Sequence, residues 1–410
     1  MATTVGHYLA TRLEQIGLEH YFQVPGDYNL QLLDELLKNE NLQMMSCTNE
    51  LNAAYAAEGY ARANGASACV ITFNVGAFSA LNGVAGAYAE RLPMIFISAG
   101  YNTNDEASGR FLHHTIGTTD YSYQEEMFRH VTCKTVRILT AEEAPSLIDD
   151  AIATALRESK PCYIEIASNL ADAECADPQP RTFERAWEVD YDQEAVERAA
   201  SEIAEQINAA EKPLLLAGPH LRPYGAIDAF RSVAEAIGCA VAVQPNAKSF
   251  FPEDHPQFIG HYLGNSSAPG AEATVDLADC VLAAGPMFTD YSTVGWTTTV
   301  PNDSGYIAIA EDGVTTPDAK HTNLPIAAVL EALEAKVQRN TATLDQFDRD
   351  DVTGEAASYT PAEDSAQLTR AEMVHQINEL ISADSTLFAE TGDSWFNGLH
   401  MQLPADAGFE

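Results

Sequence analysis

Short, unbroken apolar runs that alternate with helical patterns constrain this chain more than any other feature. Val5, Leu9, Leu13 and Ile16 recur at helical spacing, and Tyr21–Val24 then reads as a strand closed by Pro25-Gly26-Asp27. A second strand at Met44–Cys47 leads into an Ala-rich helix from about Glu50 to Ala63. A third, Ala68–Phe73, leads into a helix from about Gly76 to Glu90, and Met94–Ser98 is a fourth. A helix from Ala141 to Glu158 precedes the strand Cys162–Ile166. Strands apolar on both faces need cover on both faces, and a helix between consecutive strands supplies the crossover that parallel pairing requires. The chain therefore reads as α/β, built from successive doubly wound parallel-sheet domains.

The pattern breaks at Asp177-Pro178-Gln179-Pro180, where a linker begins. A second α/β block follows, with strands at Pro213–Gly218, Ala240–Val243 and Cys280–Gly285 and a helix near Ala226 to Ile237. Arg339 to Ser365, rich in Thr, Asp, Glu and Ala, has little periodicity and reads as a second linker. A third block opens with a helix over Thr369–Ile381 and a strand at Thr386–Ala389 and stops at Glu410, which is too little for a core of its own. The expectation is a chain that ends inside a domain.

Sixty acidic against 22 basic residues give a net charge of −38. Such a polyanion repels phosphate backbones and anionic lipid, which argues against nucleic-acid and membrane partners and suits a salty medium that screens self-repulsion. No apolar run approaches the roughly 18 residues of a membrane span, and Met1-Ala2-Thr3-Thr4-Val5 lacks a basic leader, so a cytoplasmic protein is expected. Seven scattered cysteines without a CxxC pair read as small buried residues rather than a disulfide or zinc framework.

Ligands of open parallel sheets bind beyond the carboxyl ends of the strands. Asp27, Glu50 and the run Asn74-Val75-Gly76 follow the first three strands there. Each also has a structural reading: Asp27 as cap of the next helix, Glu50 in a first turn that Thr48 caps. His113 and His114 are adjacent; in an extended segment they point to opposite sides and make a poor metal pair. One could transfer protons while the other orients it, or both are loop histidines. GxGxxG, Walker A, HExxH and GxSxG motifs are absent, so the sheet pattern does not indicate a nicotinamide enzyme or a P-loop NTPase.

Several blocks together carry more information: Val24-Pro25-Gly26-Asp27-Tyr28-Asn29, Asn49-Glu50-Leu51-Asn52, Ala56–Arg62 and Leu112-His113-His114-Thr115-Ile116-Gly117. Further along stand Ala247–Pro256, Asp290–Trp296 and Ala389–Asn397. In this order they resemble thiamine-diphosphate-dependent pyruvate decarboxylases, a branch of the 2-oxo acid decarboxylases that the paired histidines mark. The resemblance implies a pyrimidine-binding domain over 1–180, a central domain over 190–340, a linker over 341–365, and over 366–410 the start of a truncated diphosphate-binding domain. It implies thiamine diphosphate and Mg²⁺ as cofactors, a small 2-oxo acid as substrate, and a homodimer or dimer of dimers.

By the same resemblance Asp27, Glu50, His113 and His114 are catalytic. Glu50 would bond the pyrimidine ring, with burial raising its pKa; Val75, Thr391, Gly392 and Asp393 would also contact the cofactor; and Tyr291 and Trp395 would narrow the substrate pocket. No metal ligand is expected in the chain, because Gly392-Asp393-Ser394 is not the family's Gly-Asp-Gly motif. Asn74 and Thr289 are departures from the commoner family residues. The implied reaction converts pyruvate to acetaldehyde and CO₂. Two alternatives stay open: a decarboxylase of bulkier acids such as indolepyruvate or phenylpyruvate, and a naturally truncated, non-catalytic binding or dimerisation protein. The family's carboligases lack the paired histidines.

Overall fold

The computed structural model describes residues 3–106, 108–301, 305–347 and 367–410. It forms two compact units, Met1–Val189 and Asp190–Glu410. The first is built on a six-stranded sheet of β1 (His20–Gln23), β2 (Gln43–Ser46), β3 (Ser67–Ile71), β4 (Met94–Gly100), β5 (Lys134–Ile138) and β6 (Cys162–Ala167). The order is β2-β1-β3-β4-β6-β5, and every pairing is parallel. β3, β4 and β6 are buried along their whole length, which is why they appear as unbroken apolar runs. The twofold alternation of a strand divides them between two cores. Ala68, Val70, Ile95 and Ile97 pack with the helices Val5–Gln15 and Ala144–Glu158 on one face. Cys69, Ile71, Met94 and Phe96 pack with Glu50–Asn64 and Val75–Ala89 on the other.

The strand order reverses between β1 and β3, because the chain leaves β1 outward to β2 and returns to β1's other side. Such a switch point opens a crevice at the carboxyl edge, where crossovers diverge to opposite faces. The turns after β1 and β3 both emerge there.

The second unit holds a seven-stranded sheet, ordered β13-β12-β11-β10-β7-β8-β9. Its strands are β7 (Pro213–Ala217), β8 (Ala240–Val243), β9 (Phe258–His261), β10 (Cys280–Ala284), β11 (Tyr306–Ala310), β12 (Gly313–Thr315) and β13 (Lys320–Thr322). Five strands are parallel, and β12 and β13 extend the sheet in antiparallel fashion. The antiparallel edge departs from the all-parallel expectation for a plain reason: two residues separate β11 from β12, too few for a crossover. Gly313 makes the turn at φ +127°, where an added Cβ would meet the His321 carbonyl oxygen at 1.9 Å. The helices Gln193–Ala209 and Ile326–Glu334 cover this sheet on one side together with Ile227–Ile237.

A short helix, Ala342–Asp345, opens the stretch read as a second linker; its remainder from 348 to 366 lies outside the described residues. Beyond it, Thr369 caps the helix Arg370–Asn378 by accepting from the Glu372 N–H. β14 (Thr386–Leu387) pairs in parallel with β15 (Gly408–Phe409), and the helix Asp393–Leu399 lies between them in the chain. All seven cysteines are free, and Cys69, Cys162, Cys239 and Cys280 are buried as expected. Among the described residues no helix is long and apolar enough to cross a membrane.

Candidate active site

β1 ends at Gln23, and the chain then folds over a buried asparagine. Asn29 accepts from the Gly26 N–H at 2.7 Å and donates to the Val24 carbonyl at 3.0 Å, which fixes the Pro25–Tyr28 turn. Gly26 is needed for close approach, since a Cβ there would meet Thr72 Cβ and Oγ1 at 2.6 Å. The turn puts Asp27 outward, half-exposed, with its carboxylate on His113 Nε2. Asp27 is thus not a helix cap. Asn29 occupies the N-cap position of Leu30–Leu36 and makes no side-chain cap bond there.

His113 lies nearly parallel to Tyr28, with ring centroids 4.9 Å apart. The Tyr28 hydroxyl donates to the His113 carbonyl at 3.3 Å and lies 3.3 Å from Nδ1. Burial first, and the Asp27 charge second, push the Tyr28 pKa up to about 12, so this hydroxyl keeps its proton at neutral pH. The segment is not extended at the histidines. His114 has a φ of +68°, a left-handed residue that swings its ring back to 4.5 Å from His113. One donor atom from each of Asp27, His113 and His114 lies within 4.8 Å of the other two. The expectation that the two rings face opposite ways therefore fails, and the three groups form one cluster.

Glu50 opens the helix after β2. The cap is Asn49, which accepts from the Asn52 N–H at 2.9 Å; Thr48, expected in that role, instead accepts from the Asn52 side-chain amide at 2.7 Å. The Glu50 carboxylate is half-buried, not buried, and has no hydrogen-bond partner among the described residues. Across from it stands the turn after β3. A Cβ on Gly76 would come within 3.2 Å of Glu50 Oε1 and 2.9 Å of Thr72 Cγ2. Thr72 thus touches both glycine turns, which brings the Asp27 loop, the Val75-Gly76 backbone and Glu50 to one edge.

A buried network that the sequence reading missed supports this edge. Asn74, at φ +54°, donates its N–H to Gln124 Oε1 at 2.5 Å and its side-chain amide to the Tyr123 hydroxyl at 2.8 Å. Gln124 donates to Ser98 Oγ at 2.8 Å and the Tyr163 hydroxyl at 2.6 Å, and Tyr163 donates to Glu165 at 2.5 Å. Arg137 pairs with Glu165 at 3.3 Å, yet burial outweighs that pairing and raises the Glu165 pKa. Gln124 is one polar residue among several, with Glu125 and Glu126 next to it, and only its burial in the helix Tyr123–Phe128 singles it out for this role.

The remaining expected site residues lie in the second unit. Gly392 sits at φ +125° before the helix Asp393–Leu399, with Thr391 exposed beside it. Asp393 pairs with Arg370 at 3.2 Å. Tyr291, 44% exposed, faces Trp395 at 5.5 Å and Phe396 at 5.7 Å between ring centroids. Thr289 closes its turn by exchanging bonds with Ser292 at 2.9 and 3.0 Å.

In the first unit, Thr72 Oγ1, Asn74 Oδ1 and His114 Nδ1 are buried without a hydrogen-bond partner among the described residues. With the unpaired Glu50 carboxylate beside the Gly76 backbone, they suit a small, flat, hydrogen-bonding heterocycle such as an aminopyrimidine. Fold and site together define a doubly wound α/β enzyme that takes an organic cofactor at its switch point.

Sequence comparison narrows that class. Residues 3–127 match the thiamine pyrophosphate enzyme N-terminal TPP binding domain, and residues 200–335 match the central domain of the same enzymes. A probable pyruvate decarboxylase of Schizosaccharomyces pombe is 47% identical over 408 residues, covering 100% of this chain and 71% of its own length. A pyruvate decarboxylase of Neurospora crassa is 46% identical over 407 residues (99% and 70%), and one of Arabidopsis thaliana 42% over 417 (100% and 69%). The chain belongs to the pyruvate decarboxylase family of thiamine diphosphate enzymes.

Proposed function

We propose that this chain carries the pyrimidine side of a thiamine diphosphate site and serves the non-oxidative decarboxylation of pyruvate to acetaldehyde and CO₂. The observation that carries the reading is the convergence of an unpaired Glu50 and the Asp27–His113–His114 cluster at one switch point. When bound, the cofactor supplies a nucleophilic carbon and a sink for the electrons released on cleavage of the carbon–carbon bond.

The chain's own residues do the rest. Glu50 would bond the ring nitrogen of the pyrimidine, and the Val75-Gly76 backbone, which approaches the Glu50 carboxylate, would support the ring. Conversion of pyruvate and one proton to acetaldehyde and CO₂ needs a proton delivered at the carbonyl carbon that carried the carboxylate, which becomes the aldehyde carbon. On this reading His113, held by Asp27 and backed by Tyr28, moves that proton, and His114 orients the substrate carboxylate; their mutual contacts support the assignment. Thr391, Gly392 and Asp393 would contact the cofactor bound to the first domain of a partner subunit, and Tyr291 with Trp395 would limit the side chain accepted. No residue of the chain is assigned to Mg²⁺. On this reading the ion and the diphosphate are held by residues other than these 410, in complete subunits that pair as a homodimer or dimer of dimers, and the 410 residues alone are inactive.

The test starts from the protein isolated from its source, with its intact mass measured before assay. Acetaldehyde is followed by NADH oxidation with a coupling dehydrogenase. Pyruvate turnover that requires both thiamine diphosphate and Mg²⁺ is expected, with none from the 410-residue chain alone. Turnover of indolepyruvate or phenylpyruvate but not pyruvate would overturn the substrate assignment. A native mass of 44.3 kDa with no turnover would replace catalysis by a binding role.

A further inference from the structure

The block Ala247–Pro256 is part of the family resemblance, yet the proposed chemistry gives it no task. In the structure it holds the most deeply buried ion pair of the second unit's described residues: Lys248 Nζ lies 2.6 Å from Glu253 Oε1, with side chains 3% and 4% exposed. The pair does not close on itself. Lys248 also donates to the Met401 carbonyl at 2.8 Å and reaches the Leu399 carbonyl at 3.5 Å. The second oxygen of Glu253 accepts from the Leu403 N–H at 3.0 Å. Both charges therefore grip one backbone stretch about 150 residues further along the chain.

That stretch is the end of the helix Asp393–Leu399 and the loop after it. Leu399 supplies one of the carbonyls that a helix terminus leaves unpaired, and a cation there complements the helix dipole. The opposite end of the same helix starts at Gly392-Asp393. The helix is less than two turns long, so fixing its last carbonyl fixes its first residue. Leu399 and Leu403 pack with Leu263 of the loop after β9, which seats the grip on the central sheet.

We propose that Lys248 and Glu253 are positioning residues that clamp the helix Asp393–Leu399 onto the central sheet and so set the Thr391–Asp393 edge for the cofactor. The cofactor part of this inference rests on the proposed function; the clamp itself does not. A single truncation leaves the partner charge buried and unpaired, and the general destabilisation that follows would obscure the result. The informative variant is the double Lys248→Met, Glu253→Leu, which keeps volume, removes both charges and deletes the three backbone contacts. Lys320→Met, on an exposed pair with Asp312, is the control.

Two measurements decide it. Hydrogen exchange followed by mass spectrometry on the 410-residue chain should show amides over 399–403 and 387–389 exchanging at least 10-fold faster in the double variant. Peptides over β7 and β8 should stay unchanged. In the native enzyme, the thiamine diphosphate concentration for half-activation should rise at least 10-fold, with kcat at saturation within about twofold. Unchanged exchange over 399–403, or acceleration spread evenly over the central sheet, overturns the clamp. Faster local exchange with an unaltered cofactor requirement overturns its positioning role. A native enzyme without any turnover overturns the functional reading instead, and the exchange arm still decides the clamp.

Discussion

At the scale of single residues, the Asp27–His113 contact is the one on which the proposed proton transfer depends. Asp27→Asn keeps the shape but removes the charge that orients and supports the imidazole. We expect kcat/KM for pyruvate to fall by about 10²–10⁴-fold, the usual worth of general acid–base catalysis, with the thermal midpoint nearly unchanged because both side chains are half-exposed. Steady-state kinetics and a melting curve on the same preparation check both halves. Asp27, Glu50, His113 and His114 were legible because each follows an apolar run or stands in a distinctive block. Asn29, Thr72 and Gln124 were not. Their partners lie across the sheet, as Ser98 and Tyr163 do for Gln124, and no local spacing announces such pairs. The pairing of the two histidine rings was hidden for a different reason: it depends on the sign of one φ angle at His114, which residue type alone does not fix.

At the scale of elements, the helices Glu50–Asn64 and Val75–Ala89 meet through small residues, and Gly83 is the tightest point. A Cβ at Gly83 would lie 2.6 Å from the Ala54 Cβ, so the helix backbones can approach only without it. Gly83→Val should cost about 1–3 kcal/mol of overpacking, read as a lower urea midpoint at unchanged slope. A second expectation concerns β9. Burial, with the Lys248 and His400 charges adding to it, lowers the His261 pKa to about 3. Its folded form binds the proton less readily than the unfolded chain, whose histidine titrates near 6.5. The stability this contributes is present above about pH 6.5 and is lost as pH falls toward 3. His261→Gln should flatten that acid loss, checked by urea unfolding of both proteins at pH 7 and pH 5. The long buried strands were plain in the sequence because burial on both faces writes itself as an apolar run. β5, β9, β11 and the β12–β13 edge were not: β5 mixes Lys134 and Arg137 with Val136 and Ile138, β9 carries Gly260 and His261, β11 is a five-residue run without a helical pattern just before it, and β12 and β13 are three residues each.

For the whole molecule, charge is the property most open to test. With 60 carboxylates to 22 lysines and arginines, most acidic groups have no cation of their own chain to pair with. Their mutual repulsion opposes compaction, and it is long-ranged only while the solvent leaves it unscreened. The Debye length shortens from about 10 Å at 0.1 M salt to about 3 Å at 1 M, less than the spacing of most surface charges. Raising NaCl from 0.05 to 1 M should therefore raise the melting temperature, by about 2–4 °C for each kcal/mol of repulsion removed in units of this size. Potassium chloride should act equally, since the effect depends on ionic strength. Sucrose at matched osmolality separates screening from solute exclusion, which strengthens burial without touching charge. If sucrose reproduced the whole rise, or if the melting temperature stayed flat with salt, the repulsion would be too weak to matter, and the acidity would bear on solubility rather than stability.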